Sequence, residues 1–334
     1  MVDNSQFKPN PDLKLMDQVR QVLRHFNYSY NTEKIYCGWI IKYIKFFNTQ
    51  SYSSDMDGKE IEIFLNHLAT DKRVSSATQK QALNSLFFLY QKVLFKGIPD
   101  TSDLIRPKKT SKLPTVLKQE EVLLIFAQMK RTHLLMSKLL YGCGLRLMEC
   151  LRLRIQDIDF SGNQIYVRAL KNGKDRIVML PDSLREDLLE QKEKVREVHK
   201  IDLQNGHGAI DLPESMSTKS ETSVRSFAFQ FLFPAKKTSK EPRTGKIRRH
   251  HVIESGIQKA VKNAGLKAGF SKHITCQALR NSFATHLLEN GANVKNVQKL
   301  MGHSSLNMTK VFIKLMVKEP PPIESPLDTL IKNY

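Results

Sequence analysis

The stretch CQALRNSFATHLL, Cys276–Leu288, and the LMGHSS that follows at Leu300–Ser305 place an arginine, Arg280, and a histidine, His303, inside text that reads as helix. The spacing around them predicts helices over 252–265, 277–290, 293–301 and 305–315. Arg280 and His303 offer a guanidinium and a hydrogen-bond donor to a common anion, although Gly302-His303-Ser304 also reads as a plain helix stop and cap. Upstream, GCGLRLMEC (Gly142–Cys150) lets two glycines turn the backbone tightly into a helix. Glu149 lies three residues after Arg146, on the same helical face, where it can orient a guanidinium that binds phosphate bidentately. The same pair is also what a surface ion pair looks like. Between these segments the period changes to that of strands at 164–168 and 176–180, joined by the turn Lys171-Asn172-Gly173-Lys174-Asp175. A lysine at the tip of such a hairpin can reach into a groove and, with its pKa depressed by nearby charge, act as a general acid; otherwise it is simply solvated.

Outward from this centre, the 334 residues carry 53 Lys and Arg against 33 Asp and Glu, a formal charge of +20. Such an excess points to a polyanionic partner, nucleic acid first. The four cysteines, Cys37, Cys143, Cys150 and Cys276, have no CxxC spacing and no disulfide density, so a reduced, cytoplasmic chain is expected. No apolar signal region and no membrane-length apolar run is present, and no membrane insertion is expected. The first hundred residues read as four helices, with Ile35, Trp39, Tyr43, Phe46 and Phe47 at helical spacing behind an N-cap at Asn31-Thr32. The expected organisation is a helical DNA-binding domain over 1–98, a basic proline-containing linker over 99–115 with Lys108 and Lys109, and a second domain over 116–334 with an insertion around 203–251. Lysines in that linker would neutralise phosphates of a duplex, or merely be solvated.

GLRLMEC, KNGKDR, ALRNSFATHLL and LMGHSS, taken in that order, resemble the successive boxes of the tyrosine recombinases, the phage-integrase family. The resemblance extends through NTEKIYCGWIIKYIKFFN and TQKQALNSLFFLY, and covers all but the termini and the loop near 203–225. LLYGCGLRLMECLRLRIQDIDF, FLFPA and RRHH look more like integron integrases than like other relatives. The fold this implies is mainly α with a small antiparallel sheet: a four-helix core-binding domain joined to a mostly helical catalytic domain. By resemblance Arg146 and Arg280 clamp the scissile phosphate, His303 donates to it, and Lys171 protonates the leaving 5′ oxygen. Active relatives attack with a tyrosine, and the covalent link stores the bond energy, so no cofactor or metal is expected. The resemblance also implies DNA, including folded single-stranded hairpin sites, as partner, and a homo-oligomer, a tetramer, on that DNA.

Three positions depart from the pattern. Phe312 stands at the nucleophile's place and has no oxygen with which to attack. Gln277 replaces the first histidine of the His-x-x-Arg pair, and an amide takes no proton near neutral pH. Asn281 follows Arg280 where histidine is usual. Beyond Tyr166 the only tyrosine is Tyr334, twenty-two residues past Phe312 and beyond Pro320-Pro321-Pro322. The sequence therefore predicts a recombinase relative that binds DNA without cutting it, the alternative being an active recombinase with an unorthodox nucleophile. Between Lys236 and His251, seven Lys and Arg face one acid, Glu241. Lys236, Lys237, Arg248 and Arg249 are expected to contact DNA backbone, and His250 and His251, by resemblance, to stack on an unpaired base.

Overall fold

The structure, a computed structural model, describes residues 7–47, 58–97, 105, 113–169, 174–210 and 224–317. It divides into two compact units, Met1–Lys112 and Leu113–Tyr334. Lys108, Lys109, Lys171, Pro320-Pro321-Pro322 and Tyr334 lie outside the described residues. Among the described residues no helix is long and apolar enough to cross a membrane.

The first unit contains α1 (Leu15–His25), α2 (Tyr30–Phe46), α3 (Gly58–Thr70) and α4 (Ser76–Phe88), the last continued by a π turn at Leu89–Val93. The apolar stripes of these helices meet in one core that includes Val22, Ile40, Tyr43, Leu65, Leu86 and Leu89. Each fully buried Leu or Ile there contributes roughly 1.5–3 kcal/mol. The polar groups inside are paired: the Tyr43 and Tyr90 hydroxyls meet at 2.8 Å. The half-exposed Arg24 grips buried Glu33 with two hydrogen bonds of 3.1 and 2.8 Å. The N-cap of α2 is Ser29, whose hydroxyl accepts from the Thr32 N–H at 3.2 Å, and not Asn31-Thr32 as the sequence suggested. Ser75 caps α4 in the same way through Thr78.

In the second unit α5 (Gln119–Ala127), α6 (Arg131–Gly142) and α7 (Leu147–Leu151) precede a three-stranded antiparallel sheet in the order β1 (Ile158–Asp159), β2 (Gln164–Val167), β3 (Arg176–Met179). The register pairs Val167 with Arg176 and Gln164 with Met179. Inward residues Ile165, Val167 and Val178 are buried while Tyr166, Ile177 and Met179 face out, the alternation of a one-sided sheet. The long charged helix α8 runs Arg185–Gln204, four residues further than its sequence pattern suggested, because Asp202 near its end is held by Arg249. A two-stranded ribbon follows, β4 (Ser239–Lys240) with β5 (Ile247–Arg248), where the sequence showed only a run of charge. The chain continues through α9 (Glu254–Lys267), α10 (Cys276–Glu289), α11 (Val294–Met301) and α12 (Leu306–Ile313).

Helix α10 is the axis of this unit, with eleven of its 14 residues buried. A helix enclosed on nearly all sides must satisfy its polar side chains internally. Ser282 donates to Ala278 O and accepts from the Leu117 N–H, both at 2.8 Å. The Asn281 amide reaches Thr115 O at 3.1 Å, and the Tyr141 hydroxyl meets His286 Nδ1 at 2.8 Å.

Candidate phosphate-binding site

The site is assembled around one buried carboxylate. Gly144 adopts φ +60°, and a Cβ there would collide with the Phe283 ring, so the turn into α7 requires glycine. Arg146 then stands at the N-cap of α7, and its N–H donates to Glu149 Oε2 at 2.7 Å. The Arg146 guanidinium donates to Glu149 Oε1 at 2.9 Å. From β3, Arg176 grips the same carboxylate bidentately at 2.8 and 2.7 Å. Arg280 brings Nη1 to 3.6 Å of Glu149 Oε2. Burial raises the Glu149 pKa, but the hydrogen bonds and charge of Arg176, and then of Arg146, outweigh it and hold the carboxyl at about 2.

Those arginines also close the end of α11. Arg176 Nε donates to Leu300 O at 2.6 Å, Arg280 Nη2 to Met301 O, and Arg146 Nη2 to Gly302 O at 2.9 Å. Three consecutive carbonyls at a helix C-terminus, which have no partner within the helix, are thus each taken by a different cation. Arg280 also donates to Gly144 O, which fastens the turn into α7 to the end of α11. Its guanidinium is 2% exposed, and burial followed by the charge of Arg146 lowers its pKa to about 9. Arg146, with 41% of its side chain exposed, is the member of the trio that presents itself to solvent.

The left-handed Gly302, φ +58°, ends α11 and delivers His303 beside the arginines. His303 Nδ1 lies 2.9 Å from the buried Thr309 hydroxyl. When that hydroxyl donates, the ring hydrogen sits on Nε2, leaving a donor for an anion. Burial, then Arg280, Arg146 and Arg176, lowers the pKa of His303 to about 4, so the ring is neutral at pH 7. Phe312 stacks on it at 6.1 Å between centroids and 16° between planes. The Phe312 ring is 5% exposed, packed with Phe283, Ala284, Leu288, Val297 and Met301. Of the nearby hydroxyls, Thr309 is fully buried and Ser304 donates to Met308 Sδ at 3.5 Å, while Ser305 is exposed at the start of α12.

Arg146, Arg280 and His303 are therefore brought together, with Phe312 against His303. Gln277 is exposed one turn before Arg280, and its amide donates to Asn281 Oδ1 at 2.9 Å. Sequence reasoning missed the contribution of Arg176, whose signal was its place at the end of KNGKDR. In the basic region Lys236, Lys237 and His250 face outward. Two residues expected to contact DNA are instead committed inside the protein. Arg249 binds Asp202 through Nε at 2.5 Å and Nη2 at 2.7 Å, and donates Nη1 to Ala235 O and Lys236 O at 2.7 and 2.8 Å. His251 is 5% exposed, with Nδ1 at 2.7 Å from Val252 O and its ring edge-on to Phe231. Burial, followed by the neighbouring His250, Arg152 and Arg154, brings its pKa to about 4.

The helical scaffold brings two arginines and a neutral histidine together around the end of α11, the residue types that suit a phosphodiester. Residues 115–319 match the phage integrase family, and residues 15–100 match the N-terminal SAM-like domain of phage integrases. An integrase/recombinase of Escherichia coli is 36% identical over 322 residues, spanning 96% of this chain and 95% of its own. Tyrosine recombinase XerA of Thermococcus onnurineus is 30% identical over 242 residues, 71% of this chain and 70% of its own. Among solved structures, the XerH site-specific recombinase bound to its difH substrate superposes with a TM-score of 0.58 at 20% identity, covering 89% of this chain and 81% of that one. A lambda integrase dimer bound to a COC′ core site gives 0.58 at 20% identity, covering 93% and 98%. The chain belongs to the phage integrase, or tyrosine recombinase, family of site-specific recombinases that act on DNA.

Proposed function

We propose that this chain is an integron-type integrase relative that occupies attachment and cassette sites in DNA and leaves the strand uncut. Arg146 and Arg280 clamp a backbone phosphate from two sides and His303 Nε2 donates to one of its oxygens. Lys171, by resemblance, is the hairpin lysine of the leaving-group side. The observation that carries the reading is Phe312: the side chain stacked on His303 is a hydrocarbon ring in an apolar cluster, with no oxygen to attack. Gln277 adds a second loss, since its amide cannot exchange a proton near neutral pH. The outward-facing Lys236, Lys237 and His250, with Arg248 on the ribbon and Lys108 and Lys109 between the domains, supply backbone contacts. The working form on DNA is a homo-oligomer, a tetramer, in the cytoplasm, and its DNA includes folded single-stranded hairpins. RRHH and FLFPA favour the integron type over other relatives.

Incubation with a labelled, nicked cassette hairpin tests the proposal. The expected result is a gel shift that weakens steeply with salt and no denaturant-resistant protein–DNA adduct. An adduct of any kind overturns the non-cutting reading in favour of an unorthodox nucleophile, and absence of salt-dependent binding overturns the function altogether.

A further inference from the structure

Beyond the helices of the first unit, one residue, Ile105, is held against them by its backbone. Its N–H donates to Asn66 Oδ1 at 2.9 Å, and its carbonyl accepts from Gln79 Nε2 at 2.8 Å. Asn66 lies on α3 and Gln79 on α4. The Gln79 side chain is buried and also donates to Leu65 O at 3.1 Å, so the amide is fixed from the helix side as well. The Ile105 side chain, by contrast, is 52% exposed, so its burial contributes little to the hold. Two side-chain amides do for this residue what a neighbouring strand does in a sheet, taking both its donor and its acceptor.

Sixteen residue steps separate Gly97 from Leu113, where the second unit begins. Fully extended, they span about 56 Å. From Ile105 only eight steps remain. These span about 28 Å. Holding Ile105 thus halves the reach of the connection, and residues 98–104 add nothing to it. Reach matters to two units that bind one DNA, because once the first is bound the second binds at the effective concentration the connection sets.

We propose that Asn66 and Gln79 are positioning residues that clip the interdomain segment at Ile105 and so raise the effective concentration at which one unit meets DNA already held by the other; the inference rests on the DNA-binding function proposed above. The role asks for no contact between either amide and DNA.

Insertions on the two sides of the clip test it in the full-length chain, titrated with a labelled DNA duplex. About fourteen Gly and Ser residues placed between Lys109 and Thr110 triple the connection beyond Ile105, and the affinity is expected to fall about fivefold, as the −3/2 power of length. The same insertion between Asp100 and Thr101 lies behind the clip and is expected to leave the affinity unchanged. Asn66→Ala/Gln79→Ala opens the clip, so in that background the earlier insertion also lowers the affinity, by about threefold. Fluorescence of Trp39, in the first unit's core, reports whether that unit still folds, and Asn66→Ala alone replaces the pair where it does not. Equal losses from the two insertions in the otherwise unsubstituted chain, or no loss from either, overturn the clip while the DNA-binding function stands. An earlier insertion that stays silent once the clip is opened overturns the roles of Asn66 and Gln79. If the unsubstituted chain binds no DNA, both the clip and the function fall.

Discussion

Replacing Glu149 by Gln tests whether one carboxylate organises the site. Its side chain is 4% exposed, accepts from the Arg146 N–H and guanidinium at 2.7 and 2.9 Å, and accepts a bidentate pair from Arg176 at 2.8 and 2.7 Å. Burial pushes the carboxyl up, but the arginines bring it from 4.5 to about 2. At about 1.4 kcal/mol per pKa unit, that fall corresponds to about 3 kcal/mol of folding stability. Because the folded-state pKa is the depressed one, this stability is fully present above the unfolded value and is lost as pH falls through about 2. By pH 3 about 2 kcal/mol of it has gone. Glu149→Gln removes it at every pH, so the gap between the two chains should be about 3 kcal/mol at pH 7 and close steadily below pH 5. Urea unfolding followed by far-ultraviolet circular dichroism reads this. The single tryptophan, Trp39, lies in the first unit, so its fluorescence separates that unit's transition from the second unit's. A gap under 1 kcal/mol, or one that stays constant from pH 7 to pH 3, refutes the reasoning.

Phe312→Tyr combined with Gln277→His should restore a denaturant-resistant DNA adduct; normal DNA binding without one places the defect elsewhere in the site. Gly302→Ala should cost about 1–2 kcal/mol, because the residue sits at φ +58° and its new Cβ would stand 3.1 Å from Arg176 Nη1, as a thermal melt would show. Arg249→Ala should act on stability, costing roughly 3 kcal/mol by stranding the buried Asp202 charge, while at low temperature its DNA affinity stays close to that of the unsubstituted chain. Lys236→Ala/Lys237→Ala should do the reverse, leaving the melt unchanged and lowering the salt slope of DNA binding by about 2.

Helices were legible where an apolar stripe repeats, as at Trp39, Tyr43 and Phe46, and Arg146, Arg280 and His303 were legible through the order of GLRLMEC, ALRNSFATHLL and LMGHSS rather than through any one segment. Arg176 was not. Its carboxylate partner is 27 positions away and its carbonyl partner 124 positions away, so no local pattern announces either bond. The β4–β5 ribbon escaped notice because two-residue strands carry no alternation. Arg249 read as one more member of a basic run because Asp202, 47 positions upstream, is visible as its partner only once α8 is folded. His251 is a related case: two adjacent histidines look equivalent in sequence, and both rings pack near Phe231, yet His250 stays exposed while His251 is buried.

The arginines that cap Leu300, Met301 and Gly302 give the second unit a use for its motif that needs no reaction. Each closes a carbonyl that would otherwise be stranded, so their contribution to folding is independent of any chemistry. Phe312 carries no such obligation to an oxygen, for its ring fills the apolar cluster without one. An oxygen at this position is thus dispensable to the packing of the second unit, whereas each arginine of the cluster is tied to a helix-end carbonyl.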